Sequence, residues 1–258
     1  LIFSNFKSEY KLTNIVYNPD KATNISKDTK NIIIKVFFLY AFLTSLIFIL
    51  FSFCGIRLFN SFNLAMSISS TGAFLPTNEL SDLIKSPTQH IVLTIALTFS
   101  ALNIYLFYSL FTNLKIFKKH YEDFAIILTS FFFSLILFFS IEQTTFLNIF
   151  SSVVSSLSNS GLSVYNPPDN FYLLFLFLAI VGGSVISNSS GIKFIRIYIL
   201  FKSLVFEMFK LVSPNVVLDQ SILKTEHKIN NETINSSFLI FICFFISFFF
   251  YRAHCQRG

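Results

Sequence analysis

Tryptophan is absent from this 258-residue chain, and charged residues make up only 12% of it. An ordinary soluble domain carries about twice that charge. Too few polar groups are present to cover a water-facing surface, so a soluble globular protein is excluded. Cysteine occurs three times, at Cys54, Cys243 and Cys255, without a CxxC pair. That excludes a disulfide framework and a cysteine-rich zinc site, and His254-Cys255 is too sparse to hold a metal. No buried carboxylate pair, Ser-His-Asp set or phosphate-binding loop stands out. The sequence therefore predicts no enzyme and no cofactor.

What the chain does contain is apolar: 53% of its residues are hydrophobic, 37 of them phenylalanine, with a mean hydropathy of +0.67. Lipid is the solvent that such a composition fits. A spanning helix needs about 20 mostly apolar residues. Val36–Cys54, Thr88–Asn113 and Phe124–Ile141 meet that requirement. Phe171–Val181 is shorter and runs into Gly182-Gly183, and apolar character resumes from Ile192 to Phe209. Ser236–Tyr251 is a fifth run. The first apolar run starts too late in the chain to be a signal peptide.

Two further segments have helical apolar spacing but are too short to cross. Leu58, Phe62, Ala65, Met66 and Ser69 form one series, and Phe146, Phe150, Val153, Val154 and Leu157 the other. About 12 residues of helix reach roughly 18 Å, against a hydrocarbon core of about 30 Å. Each segment leads into a cluster of small polar residues, Ser69-Ser70-Thr71-Gly72-Ala73 and Ser158-Asn159-Ser160-Gly161-Leu162. The pattern predicts re-entrant half-helices that return as loops, since irregular backbone at that depth survives only inside protein or beside water. An offset of 89 residues places Gly72 on Gly161 and pairs Ser67 with Ser156, Ser69 with Ser158 and Thr71 with Ser160. Internal repeats are common in transport proteins.

The fold expected is an all-α membrane protein of repeated span, re-entrant pore helix and span, with one broken helix. Residues 1–35 form an N-terminal cytoplasmic segment and 36–113 the first unit, with its pore helix at 58–70. Residues 114–123 form a basic cytoplasmic loop. The second unit is 124–209, with a pore helix at 145–158 and an intramembrane loop at 182–191. A cytoplasmic linker, 210–235, leads to the first span of a further unit, 236–258. Net charge is +6, and fifteen of the 19 Lys and Arg fall in residues 1–35, 114–123 and 192–235. These three segments share one side in this topology. The positive-inside rule makes that side cytoplasmic and accounts for the charge without nucleic acid. His90 reads as an interfacial residue, and Glu142 and Asp169 as solvated flanks.

A cation crossing a membrane exchanges water for oxygen ligands, which filters supply as backbone carbonyls. A half-helix whose C-terminal end faces the loop adds roughly −0.5 of a charge there. Ser70, Thr71, Gly72 and Ala73, with Asn159, Ser160, Gly161 and Leu162, are thus candidates to line a cation path. The run from Gly182-Gly183 through Ser187, Asn188 and Gly191-Ile192-Lys193 to Arg196 resembles the GGxxGSTGGGIKxxR signature of the Trk/Ktr potassium transporters, in their TrkH-like membrane subunit. Ser70-Thr71-Gly72-Ala73-Phe74 and Leu211-Val212-Ser213-Pro214-Asn215 extend the likeness over nearly the whole chain. The resemblance implies potassium uptake across the inner membrane, with potassium as the transported ion. It also implies four units around one pore, one filter glycine from each, here Gly72 and Gly161. The Gly182–Gly191 stretch would then be a gating loop, although Ile186, Ser189 and Ser190 stand where the family has glycine. A homodimer and a cytoplasmic nucleotide-binding, TrkA-like regulatory subunit are implied as partners, beside membrane lipid.

The alternatives are a sodium-coupled secondary transporter with discontinuous helices and a non-transporting membrane scaffold. The Leu1 start and the unmatched fifth run lead us to expect a piece of a longer chain. Two filter loops fall short of the roughly four that a ring of carbonyls needs, so the piece alone is not expected to conduct.

Overall fold

A computed structural model describes residues 22–77, 79–107, 120–141, 144–165, 168–212 and 231–255, and among them all regular structure is helical. The basic 114–119 stretch, Glu142, most of the 210–235 linker and the Ser213-Pro214-Asn215 motif lie outside these residues. The helices are α1 (Ala22–Phe53), α2 (Leu58–Ser70), α3 (Pro87–Ala101), α4 (Tyr121–Ser140), α5 (Phe146–Ser158), α6 (Tyr172–Val181), α7 (Phe194–Val212) and α8 (Asn231–Cys255). Short 3-10 turns at Leu80–Asp82 and Asp169–Phe171 precede α3 and α6.

Two helices, through Val36–Phe53 of α1 and Tyr121–Ser140 of α4, are long and apolar enough to cross a bilayer. Helix α1 continues toward its N-terminus well past the apolar run, so the helix is longer than the membrane requires. At its other end Gly55, in a left-handed conformation, turns the chain toward α2. The start of α3 is set by Ser86, which accepts from the Gln89 N–H, while the Gln89 side chain returns the bond and Pro87 opens the helix. Gln89 Nε2 also donates to the Cys54 carbonyl at 3.1 Å, tying the start of α3 to the end of α1. Helix α4 begins with Glu122 and Asp123 in its first turn, where carboxylates favour the positive end of the helix dipole.

Helices α1, α2 and α3 enclose one apolar cluster built on Ile47, Phe51, Leu64, Ile68, Leu93 and Leu97. Helices α4, α5 and α6 enclose a second, built on Leu137, Ile149, Val153, Leu157 and Leu178. The two units interlock because α3 packs on α5. Lipid tails are as apolar as leucine, so close packing and small residues must hold helices together. Ser61, Ala65 and Ser69 of α2, Ala96 and Ser100 of α3, and Ser151, Ser152 and Ser155 of α5 supply those small contacts, all buried. His90 is part of this seam. It is buried, and its Nε2 lies 3.0 Å from Ser151 Oγ, so it is an interhelical tie where an interfacial position is expected from sequence.

The run Thr88–Asn113 is not one continuous span. Helix α3 stops at Ala101, Leu102 is extended (φ −87, ψ 166), and a new helical turn starts at Ile104. Asn103 caps that turn, its Oδ1 accepting from the Tyr105 N–H at 2.9 Å. Asparagine favours such a cap over a helix interior. Helix α8 packs against α7, with Ile234 on Ile195 and Ile199.

Candidate functional site

Helices α2 and α5 are both 13 residues long, about 20 Å. Each ends on a left-handed residue, Thr71 (φ 53, ψ 37) and Asn159 (φ 56, ψ 27). In both, the next residue's N–H reaches back five positions, Gly72 to the Ser67 carbonyl at 2.9 Å and Ser160 to the Ser155 carbonyl at 3.1 Å. These bonds satisfy carbonyls that a helix end would otherwise leave open.

The two units are thus related by 88 residues, not by the 89 that superimposes their glycines. Starts Leu58 and Phe146, ends Ser70 and Ser158, and caps Thr71 and Asn159 all obey 88. So does the second left-handed position, which is Ala73 (φ 54) in one loop and Gly161 (φ 64) in the other. Gly72 corresponds to Ser160. Its φ is not positive, and a Cβ there would lie 3.0 Å from Ser70 Oγ and 3.1 Å from the Phe74 ring, a tight fit against two exposed side chains. The sequence match is drawn to identical letters, while the backbone repeats by conformation.

An alanine held left-handed costs about 1–2 kcal/mol. Ala73→Gly is accordingly expected to stabilise the protein by about 1 kcal/mol, read as a raised thermal midpoint in detergent. An unchanged or lowered midpoint would mean that the Ala73 methyl makes contacts worth as much as the strain.

Ala73 and Gly161 are brought together. Both are exposed, and a Cβ on Gly161 would sit 3.4 Å from that of Ala73. Ser70 is exposed and Thr71 half-buried beside them, whereas Ser160 and Leu162 are buried behind the second loop. Ser160 Oγ lies 3.2 Å from Ser155 Oγ and accepts from Ser158 Oγ at 3.0 Å. The second loop therefore rests on a knot of hydroxyls.

The segment from Gly182 to Lys193 breaks the path between α6 and α7 and meets the end of α2, while the second loop bonds to α6 just before the break. Asn188 Nδ2 donates to the Ser69 carbonyl at 2.7 Å, at the end of α2. Asn159 Nδ2 donates to the Ala179 carbonyl at 3.0 Å, at the end of α6. Gly182 stops α6 in a conformation of positive φ (φ 70, ψ −175). Inside the segment, the Gly183 N–H donates to Ser189 Oγ at 2.9 Å, and Ser187 Oγ lies 2.7 Å from Ser189 Oγ. Lys193 Nζ donates to the Ser189 carbonyl and lies 3.4 Å from the Ser187 carbonyl. The Ser187 and Ser189 hydroxyls thus supply ties that glycine could not. Sequence reasoning missed the partners of this segment in the first unit, Ala101 and Ile104, the break at Asn103 between them, and the acidic pair Glu122 and Asp123. Their one signal is an asparagine inside an apolar run and two carboxylates at a span's edge.

The chain is 24% identical over 226 residues to an uncharacterized cation transporter of Methanocaldococcus jannaschii, covering 84% of this chain and 45% of that one. The structure matches the crystal structure of the potassium transporter TrkH from Vibrio parahaemolyticus with a TM-score of 0.69 and 20% identity, over 85% of this chain and 48% of that one. No protein-family model matches the sequence. The chain spans about half the length of each of these relatives. With its two short capped helices, its broken α6–α7 path and its two apolar spans, it is an all-α membrane protein with a TrkH-like fold.

Proposed function

We propose that this chain forms part of a cation-transport protein that takes up potassium through a path lined by backbone carbonyls of the α2 and α5 loops. The observation that carries the reading is the equivalence of the two loops. Equal helices end in matching left-handed caps, and the loops meet at Ala73 and Gly161. Both helices aim their carboxyl ends, and hence partial negative charge, at that meeting point. Left-handed residues on either side of Gly72, and at both Asn159 and Gly161, turn the chain sharply enough to present successive carbonyls. Such a site strips water from a cation and repels anions.

Segment 182–193 is the gate in this reading, because it bonds to the end of α2 through Asn188 and to α6 through the Ile192 N–H, which donates to the Ile180 carbonyl. Gly182, Gly183, Ser187, Asn188 and Gly191 are its working residues. The basic side is cytoplasmic and the membrane is the inner one. A homodimer and a nucleotide-binding cytoplasmic subunit are proposed from the resemblance alone. The full-length protein should restore growth of a potassium-uptake-deficient bacterium on low potassium. No rescue, with the protein shown to be inserted in the membrane, would reject the transport reading.

A further inference from the structure

Two neighbouring carboxylates at the start of α4 each hold a different helix break. Asp123 is buried. Its Oδ1 accepts from the Asn103 N–H at 2.9 Å, and its Oδ2 lies 3.0 Å from His120 Nδ1. Asn103 is the point where the path out of α3 breaks. Glu122 Oε1 accepts from the Val185 N–H at 3.0 Å, and Val185 belongs to the break between α6 and α7. The two breaks also bond directly. The Ser184 N–H donates to the Ala101 carbonyl at 2.9 Å, and the Ile104 N–H to the Ile186 carbonyl at 3.1 Å. At the crossing, Gly183 lies so near the Ala101 carbonyl that no side chain fits between them.

We propose that Glu122 and Asp123 are positioning residues, a two-carboxylate clasp that fixes segment 182–193 to the break after α3 so that both breaks shift together. A segment held only by its own glycines could swing alone. This one cannot leave without giving up the Val185 bond to Glu122, and a buried donor and acceptor left unpaired cost their full desolvation. The inference rests on the reading of 182–193 as a gate, and it adds that the gate is shared between the two units.

The test uses full-length protein in liposomes, with all cysteines replaced by serine and Val185→Cys as a reporter. That reporter keeps the backbone N–H on which the clasp acts. The readout is its rate of modification by a charged methanethiosulfonate reagent, beside rubidium tracer influx. Glu122→Ala should speed modification about tenfold and Glu122→Gln, which keeps an acceptor oxygen, about threefold or less. Asp123→Asn should also speed it, by about twofold to threefold, although Asp123 bonds Asn103 and not the segment itself. Influx should rise in the same order, with the rubidium-to-sodium ratio unchanged. Should Glu122→Ala fail to insert, the Gln and Asn variants decide. Reporter rates equal to those of the parent in both would overturn the clasp, and a silent Asp123→Asn alone would overturn the coupling of the breaks. Absence of influx in every protein, parent included, would sink the transport reading while the modification rates still judged the clasp.

Discussion

Replacing Gly182 with alanine should destabilise the protein by about 3–5 kcal/mol, the sum of a backbone region open essentially only to glycine and an overpacked site. The backbone there (φ 70, ψ −175) is one that side chains reject. The new methyl would also be driven into the Ser190 carbonyl oxygen, and backbone cannot step aside as a side chain can. Gly161→Ala offers the contrast. Its φ is also positive, but the nearest atom is the Ala73 methyl at ordinary contact distance. It should cost only about 1–2 kcal/mol. Thermal unfolding of both variants in detergent measures the difference. Equal losses would show that the crowding around Gly182 relaxes, and that segment 182–193 is softer than its bonds suggest.

In the full-length protein, Gly161→Asn should cut rubidium influx by about 100-fold, equivalent to about 2.7 kcal/mol on the barrier, while the protein stays folded. Asparagine tolerates left-handed backbone better than other side chains, and Asn159 already occupies it two residues earlier. Strain is therefore nearly removed from the comparison. What remains is an amide placed at the exposed point where the two loops meet, beside Ala73. Influx in proteoliposomes and a melting curve on the same preparation separate blockage from unfolding. A well-folded variant with parental influx would mean that ions do not pass Gly161, and the proposed path would be wrong.

The membrane class and the all-helical fold were legible because lipid leaves a coarse record: long apolar runs, few charges and basic flanks. The short helices were legible too, since their apolar spacing is helical while their length is too small to cross. Conformation at single residues was not. Ala73 sits left-handed because the repeat imposes it, and nothing in the letter Ala announces a positive φ. The pairing of Gly72 with Gly161 follows from treating glycine as a marker of conformation, whereas the left-handed partner of Gly161 is Ala73 and Gly72 has no positive φ. The break after Ala101 was missed for a related reason. Hydropathy averages over a window, and a lone Asn103 barely moves the average, yet its side chain competes with the helix for the backbone N–H of Tyr105. The ties from Glu122 to Val185 and from Asn188 to Ser69 join residues 63 and 119 positions apart. No local pattern encodes them.

The serine hydroxyls of the short helices have one more consequence, which concerns polarity rather than packing. Ser70 Oγ donates its hydrogen to the Met66 carbonyl at 2.7 Å, and Thr71 Oγ1 donates to the Ser70 carbonyl at 2.7 Å. A hydroxyl has one hydrogen and two lone pairs. Once the hydrogen is committed inward, only lone pairs remain for whatever approaches from outside. Ser70 is exposed, so it offers an electron-rich face to an ion without carrying a charge. On the proposed path, a neutral coating of this kind would discriminate by sign yet bind weakly enough to let go, where a carboxylate in the same place would hold its ion longer.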